Sequence, residues 1–316
     1  MSDQLKLSRS KFILDEVKLC YLAVLAALFI TALSPILFRI SENFLSSSAT
    51  IFNRFWIATV ILSFWKGLLF LKRRSLENSP PLKLFDDLHS LILLLILAIV
   101  FVIFQLLWIW SVTLTSIANS EVMHSLTPVF TTLVGWSLFG QKFDRQFLMG
   151  VAIAIMGSIA LAVNDFSITL DKLTGDGLAL LSACLWGANL LILEQLQTRL
   201  NIVVITILEC LLGALFILPA LLLTGGQLFP HSQGGWLTVI SLGLTVIFAQ
   251  TLIAYSLKRL SSGLVATILL INPILAAIFA AIIFSETLNL LNSIGLLIIL
   301  GGIYLTTLSK YGIKTQ

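Results

Sequence analysis

The chain has 316 residues, of which 58% are hydrophobic and only 11% charged, with a formal net charge of +4. Soluble domains carry about 25% charged residues, so a water-facing globule is excluded. The basic excess flanks apolar blocks instead of forming a cationic patch, so no nucleic-acid partner is expected.

The apolar blocks run to about 20 residues, the length that crosses roughly 30 Å of hydrocarbon as helix. Runs such as Leu91–Val102 are apolar at every position. A barrel strand would alternate, so the sequence predicts an all-α integral membrane protein with the lipid bilayer as its surroundings. Residues 1–18 mix Lys6, Arg9, Lys11, Asp15, Glu16 and Lys18, and the apolar run that follows is too long for a cleavable signal core. Phe12, Ile13, Leu14 and Val17 predict a short interfacial helix there. Ten transmembrane helices are predicted over 19–40, 49–71, 88–112, 117–139, 146–163, 177–198, 201–223, 235–257, 262–284 and 290–309. The two longest connections, Lys72–Asp87 and Asn164–Asp176, are too short for a soluble domain, and the second divides the chain into halves.

Lysine and arginine counts set the orientation. Sixteen of the 19 fall on one side, with Arg39 and Lys172 opposite and Arg54 within helix 2. Both termini are therefore expected in the cytoplasm, with the plasma (inner) membrane as the location. The expected organisation is a cytoplasmic segment over 1–18, a five-helix repeat over 19–163, a second over 177–309, and a cytoplasmic tail over 310–316.

A shift of 145 residues brings uncommon positions into register: Gln105 with Gln250, Ser111 with Ser256, Ser116 with Ser261, Pro128 with Pro273, Phe139 with Phe284, Gly150 with Gly295 and Gly157 with Gly302. A five-helix repeat has an odd count, so its second copy enters from the opposite side. Two inverted repeats with a substrate site between them are a recurring plan of secondary transporters.

The residues that could carry chemistry are few. Glu121 and His124 share a face of helix 4, with Pro128 and Gly135 continuing it and Ser125 and Thr132 beside it. An ionisable group inside a span tends to line a cavity, so this stripe is expected to face a central chamber and to bind a cationic group or carry a proton; the alternative is that Glu121 pairs at the outer interface. Pro128 and Pro273 are expected as mid-helix hinges, or as plain kinks. Arg54 is expected to snorkel to the headgroups. Glu209, its counterpart in helix 7, is expected to lie deeper, in a functional or pairing role. Gln105 and Gln250 suit interhelical hydrogen bonds or substrate contact, with the structural use favoured. Ser182, Trp186 and Asn189 recur on one face of helix 6 and suit either packing or a polar ligand with an apolar part. Glu194 is expected to be solvated at the cytoplasmic edge.

Gly150, Gly157, Ala276, Ala277, Ala280 and Ala281 make smooth packing surfaces, so helices 5 and 10 read as scaffold or as the faces of a homodimer. No phosphate-binding loop, dinucleotide fingerprint or HExxH motif occurs. His89, His124 and His231 are scattered, and Cys20, Cys184 and Cys210 sit in apolar blocks without CxxC spacing. No cofactor, metal or disulfide is expected, nor an enzyme; a membrane-embedded enzyme would rest on Glu121 and His124 alone, and a scaffold or channel is the other alternative.

The chain resembles the drug/metabolite transporter superfamily, specifically its EamA type. The resemblance rests on Leu126-Thr127-Pro128-Val129-Phe130, Phe139-Gly140-Gln141-Lys142, Gly150 and Gly157. In the second half it rests on Ile271-Asn272-Pro273-Ile274, Phe284-Ser285-Glu286-Thr287, Gly295 and Gly301-Gly302. Arg54-Phe55 and Trp186-Gly187 also look like family features, and the match covers residues 18–310. Two positions depart from the pattern. The usual glycine–glutamate reads Gly140-Gln141, and the small-polar step in helix 1 reads Ser34-Pro35. The resemblance implies ten helices in two repeats and the export or exchange of small metabolites, amino acids or drugs. Glu121, His124, Gln105, Gln250, Trp186, Asn189, Glu209 and Asn272 are the candidate substrate or coupling residues.

Overall fold

The computed structural model describes residues 2–74, 88–114, 120, 123–162, 173–223, 227–284, 290–309 and 311. Its helices are α1 (Ser2–Ser41), α2 (Ser47–Arg74), α3 (Leu88–Leu114), α4 (Thr127–Phe139), α5 (Arg145–Ala162), α6 (Leu173–Leu196), α7 (Ile202–Leu223) and α8 (Gln233–Ser256). They continue with α9 (Ser262–Ile268), a 3-10 turn over Leu269–Ile271, α10 (Asn272–Phe284) and α11 (Leu290–Leu308). Among the described residues no strand element occurs. Five segments are long and apolar enough to cross a bilayer: Asp15–Ser41, Leu88–Ser111, Leu173–Leu196, Ile202–Leu223 and Gln233–Ser256. The outside of the bundle is apolar, with Leu22, Phe64, Leu138, Leu237 and Leu297 all exposed. An apolar exterior of this extent marks a surface that water does not cover.

Local chemistry sets the helix ends. Ser232 and Ser261 cap α8 and α9, their hydroxyls accepting from Gly235 N at 3.1 Å and Leu264 N at 3.3 Å. Asp144 caps α5, its Oδ1 accepting from Phe147 N at 2.8 Å. The same oxygen accepts from the Ser309 hydroxyl at 2.8 Å, which ties the start of α5 to the end of α11. At the end of α4, Gly140 adopts φ +61°, a left-handed conformation that costs glycine nothing, and Gln141 N reaches Gly135 O at 2.9 Å.

Helix 1 departs from its expected bounds. No break separates an interfacial piece from the span, and α1 runs unbroken from Ser2. Nothing before Pro35 breaks a helix, since residues 2–34 hold neither glycine nor proline. Glu16 lies within α1 and accepts from Arg259 Nε at 2.8 Å and Nη2 at 2.6 Å, binding α1 to the turn after α8.

The packing is reciprocal between the halves. α3 lies along α6 and α1 along α8, while α2 meets both α7 and α8 and α3 meets α7. Each of these contacts has its partner when the first five spans exchange with the second five, α9 and α10 counting together. α3 and α6 run antiparallel. Ser182 donates to Phe104 O at 3.0 Å and Asn189 to Leu97 O at 3.4 Å.

α5 and α11 approach backbone to backbone. A Cβ on Gly150 would lie 2.7 Å from Gly302 O, and one on Gly157 would lie 2.9 Å from Gly295 O. These are the two glycine pairs of the 145-residue register, crossed over, and the helices carrying them run antiparallel. The glycine faces, expected as scaffold or as homodimer surfaces, thus pack against each other within the chain.

The expected helix over 117–139 is interrupted. His124 is helical, Ser125 and Leu126 form a turn, and α4 begins at Thr127 with Pro128 in its first turn. Pro128 has no N–H to give His124 O, and the Thr127 hydroxyl donates to that carbonyl instead, at 2.6 Å. The expected helix over 262–284 divides in the same register, α9 passing through the 3-10 turn into α10 with Pro273 in its first turn. Neither proline is mid-helix; each opens the second piece of a broken helix, where a missing N–H is tolerated.

Candidate functional site

Between the halves lies a cavity of about 190 Å³. Thr31, Ser34, Pro35 and Phe38 of α1, Arg54 of α2, and Phe101, Phe104, Gln105 and Trp108 of α3 line one part of it, together with His124 and Ser125 before α4. Trp186 of α6, Val246, Ala249, Gln250 and Ile253 of α8, Leu269 and Leu270 of the 3-10 turn, and Asn272 of α10 line the rest.

Six pairs of these residues stand 145 positions apart: Phe101 and Val246, Phe104 and Ala249, Gln105 and Gln250, Trp108 and Ile253, His124 and Leu269, Ser125 and Leu270. The backbone frame is thus shared between the halves while the chemistry is not. The first half presents bulky rings, an imidazole and a hydroxyl where the second presents aliphatic groups. Only the glutamines are alike.

The rings form a connected wall. Trp186 lies 4.8 Å from Phe104 and Phe101 5.3 Å from Phe104, centroid to centroid, and Phe38 packs edge-on to Trp108 at 6.3 Å. Polar atoms interrupt it. The Thr31 hydroxyl stands 3.0 Å from Asn272 Oδ1, joining α1 to the start of α10. His124 Nε2 and Gln250 Oε1 are buried and make no hydrogen bond. Buried polar groups left unpaired in this way are uncommon and cost free energy, so a partner supplied by a ligand or by water fits them.

Among the expected site residues, the cavity brings together Gln105, Gln250, His124, Trp186 and Asn272. Glu121 lies outside the described residues. Asn189 and Glu209 are wholly buried away from the cavity wall. The two face each other, yet neither Glu209 oxygen closes a hydrogen bond. Ser182 and Asn189 serve packing through their bonds to α3, so on that face of helix 6 only Trp186 meets the cavity. The helix 4 stripe also shortens. His124 and Ser125 reach the cavity, whereas the Thr132 hydroxyl turns back to Pro128 O at 2.7 Å and Gly135 packs under Gln141.

Two charged residues differ from expectation. Arg54 does not snorkel outward; its side chain lines the cavity, with Cζ 5.4 Å from the Phe38 ring centroid. Glu194 is not solvated at an edge. It is buried, and its Oε2 accepts from Ser262 N at 3.1 Å, at the N-terminal end of α9. The orphan N–H groups of a helix start favour a carboxylate there. Sequence gives depth along a helix more readily than direction around it. An arginine five residues from an end fits both readings until α8 and α1 are packed against it.

Among the described residues no group of three or more His, Cys, Asp or Glu could hold a metal ion, and the three cysteines are free.

The EamA-like transporter family matches this chain twice, over residues 18–163 and 173–308. YetK of Bacillus subtilis, an uncharacterized transporter, is 25% identical over 303 residues, covering 92% of this chain and 87% of its own. An uncharacterized transporter of Methanothermobacter thermautotrophicus is 24% identical over 224 residues, 68% of this chain, and the alignment spans only 64% of its length. A probable amino-acid metabolite efflux pump of Escherichia coli is 26% identical over 187 residues, 56% of this chain and 62% of that one. A solved crystal structure superposes with a TM-score of 0.74 at 17% identity, covering 92% of this chain and 97% of the other, a likeness of fold.

Proposed function

We propose that the chain, which belongs to the EamA-like transporter family, is an integral membrane transporter that exports or exchanges small organic metabolites by alternating access around the cavity between its halves. In this reading the ten spans form two inverted repeats, over 19–163 and 177–309, with both termini in the cytoplasm. Reciprocal helix contacts, crossed glycine pairs and matched breaks before Pro128 and Pro273 support the inversion. Two copies of one frame can exchange conformations, opening the shared site first to one side and then to the other.

The observation that carries the reading is the cavity wall, six of whose positions come in matched pairs from the two halves. Its size and its mixture of rings with a few polar groups suit a small solute with an apolar part. The relatives named as probable amino-acid metabolite efflux pumps support amino-acid metabolites as cargo. The sequence holds no phosphate-binding loop, so in this reading the cycle is driven by a gradient or runs downhill. Protons are the proposed coupling ion, with Glu209, a carboxyl buried without a hydrogen-bond partner, as the carrier.

Counterflow of labelled amino acids and organic acids in proteoliposomes tests the reading. Uptake above that of empty liposomes is expected for part of the panel, and a uniformly flat response sinks it. Glu209→Gln should keep solute exchange and lose the response to an imposed pH gradient. If that response stayed at wild-type size, Glu209 would be excluded as the carrier.

A further inference from the structure

Among the described residues that line the cavity, Arg54 is the one with a permanent charge, and none is an aspartate or glutamate. Its Nε is buried and makes no hydrogen bond, and no ion pair among the described residues includes it. The contact shown for its guanidinium is the face of Phe38. A contact with a ring face leaves the Nε edge without a protein acceptor. That edge is a two-pronged donor, and a carboxylate matches it with two parallel hydrogen bonds.

We propose that Arg54 is the charge-selecting residue of the site, which takes small monocarboxylates with an apolar body and turns away organic cations; this rests on the transporter reading above. The carboxylate docks on the Nε edge of Arg54. The apolar body lies against Phe104, Trp108 and Trp186. The space for it opens toward the second half, where the smaller Val246 and Ala249 occupy the positions that correspond to Phe101 and Phe104. Gln250 Oε1, buried and unpaired, accepts from an O–H or N–H at the solute's other end. An organic cation meets the same ring wall but faces the guanidinium charge, with no carboxylate among the described lining residues to offset it.

Binding of three matched probes to the purified full-length protein tests this: 3-(4-hydroxyphenyl)propionate, its neutral amide, and the cation tyramine, read by thermal shift and tryptophan quenching. The carboxylate should bind about tenfold or more tighter than the amide, in keeping with the greater strength of charge-assisted hydrogen bonds. Tyramine should bind weakest. Arg54→Gln should remove the preference of carboxylate over amide, and Arg54→Lys should keep part of it. Equal binding of carboxylate and amide by the wild type, tighter tyramine, or no binding of the carboxylate overturns the assignment, and these readouts stand even where Arg54→Gln does not fold. The two proposals fail separately. Arg54-dependent binding of the carboxylate without counterflow of any solute removes the transport reading and leaves the site. Counterflow of solutes indifferent to charge and to Arg54 does the reverse.

Discussion

Burial alone does not describe what a charged residue does in this bundle; its partner does. Glu194 is buried and accepts a hydrogen bond from Ser262 N–H, whereas Glu209 is buried with neither oxygen closing a hydrogen bond. Removing the Glu194 carboxylate leaves a buried N–H unpaired at the start of α9, which costs about 1–3 kcal/mol. Glu194→Ala is therefore expected to melt earlier than wild type in detergent, with Glu194→Gln, which keeps an acceptor oxygen, between the two. Equal melting of all three would mean that Ser262 N finds another acceptor. His124 and Asn272, polar groups inside spans, do line the cavity; Gln105 and Gln250, read first as interhelical partners, and Trp186, read equally as packing, line it too. Arg54 and Glu194 were misjudged because each lies close enough to a helix end to be solvated, and only the neighbouring helix shows that it is not.

Among the helices, glycine position decides how closely two axes approach. Gly301 and Gly302 are neighbours on α11 with opposite surroundings. A Cβ on Gly301 meets nothing within 4 Å, while one on Gly302 lies 2.5 Å from both Ala154 N and Gly150 O. Gly301→Ala should be neutral or stabilise by up to about 1 kcal/mol through helix propensity. Gly302→Ala must push backbone apart and should destabilise by about 1–3 kcal/mol, the range for overpacking. Thermal melting of the two variants side by side checks this, and equal melting points would show that α5 and α11 yield freely. The register of these glycines was visible in the sequence, but their crossed pairing was not, because a repeat says which positions correspond and not which ones touch. The breaks before Pro128 and Pro273 were foreseen as disturbances of one helix each. Their placement just ahead of the prolines follows from the carbonyl that each proline leaves without a donor.

For the molecule as a whole, the apolar blocks and the basic residues flanking them were enough to read an all-helical membrane protein. Five described segments meet the length for crossing outright. α4, α9 and α10 fall short individually because the broken helices divide their spans. The orientation remains a prediction with a direct check. A reporter that is active only in the cytoplasm, fused to either end, should be active at both, since an even number of crossings returns the chain to its starting side. Activity at one end alone would require an odd number of crossings and would undo the pairing of α1–α5 with α6–α11.

The seam between α5 and α11 carries one more implication. Along this seam backbone meets backbone at Gly150, Gly157 and Gly302, with Thr306 and Ile299 packed beside the glycines, so little can lengthen, tilt or repack. Prying them apart would open a void that lipid fills poorly, whereas a small swivel leaves the contact nearly intact. If the chamber changes the side it faces as proposed, this seam should act as the axle and the spans farther from it as the moving rim. A chemical crosslink placed along the seam should then leave turnover running, while one across the rim should stall it.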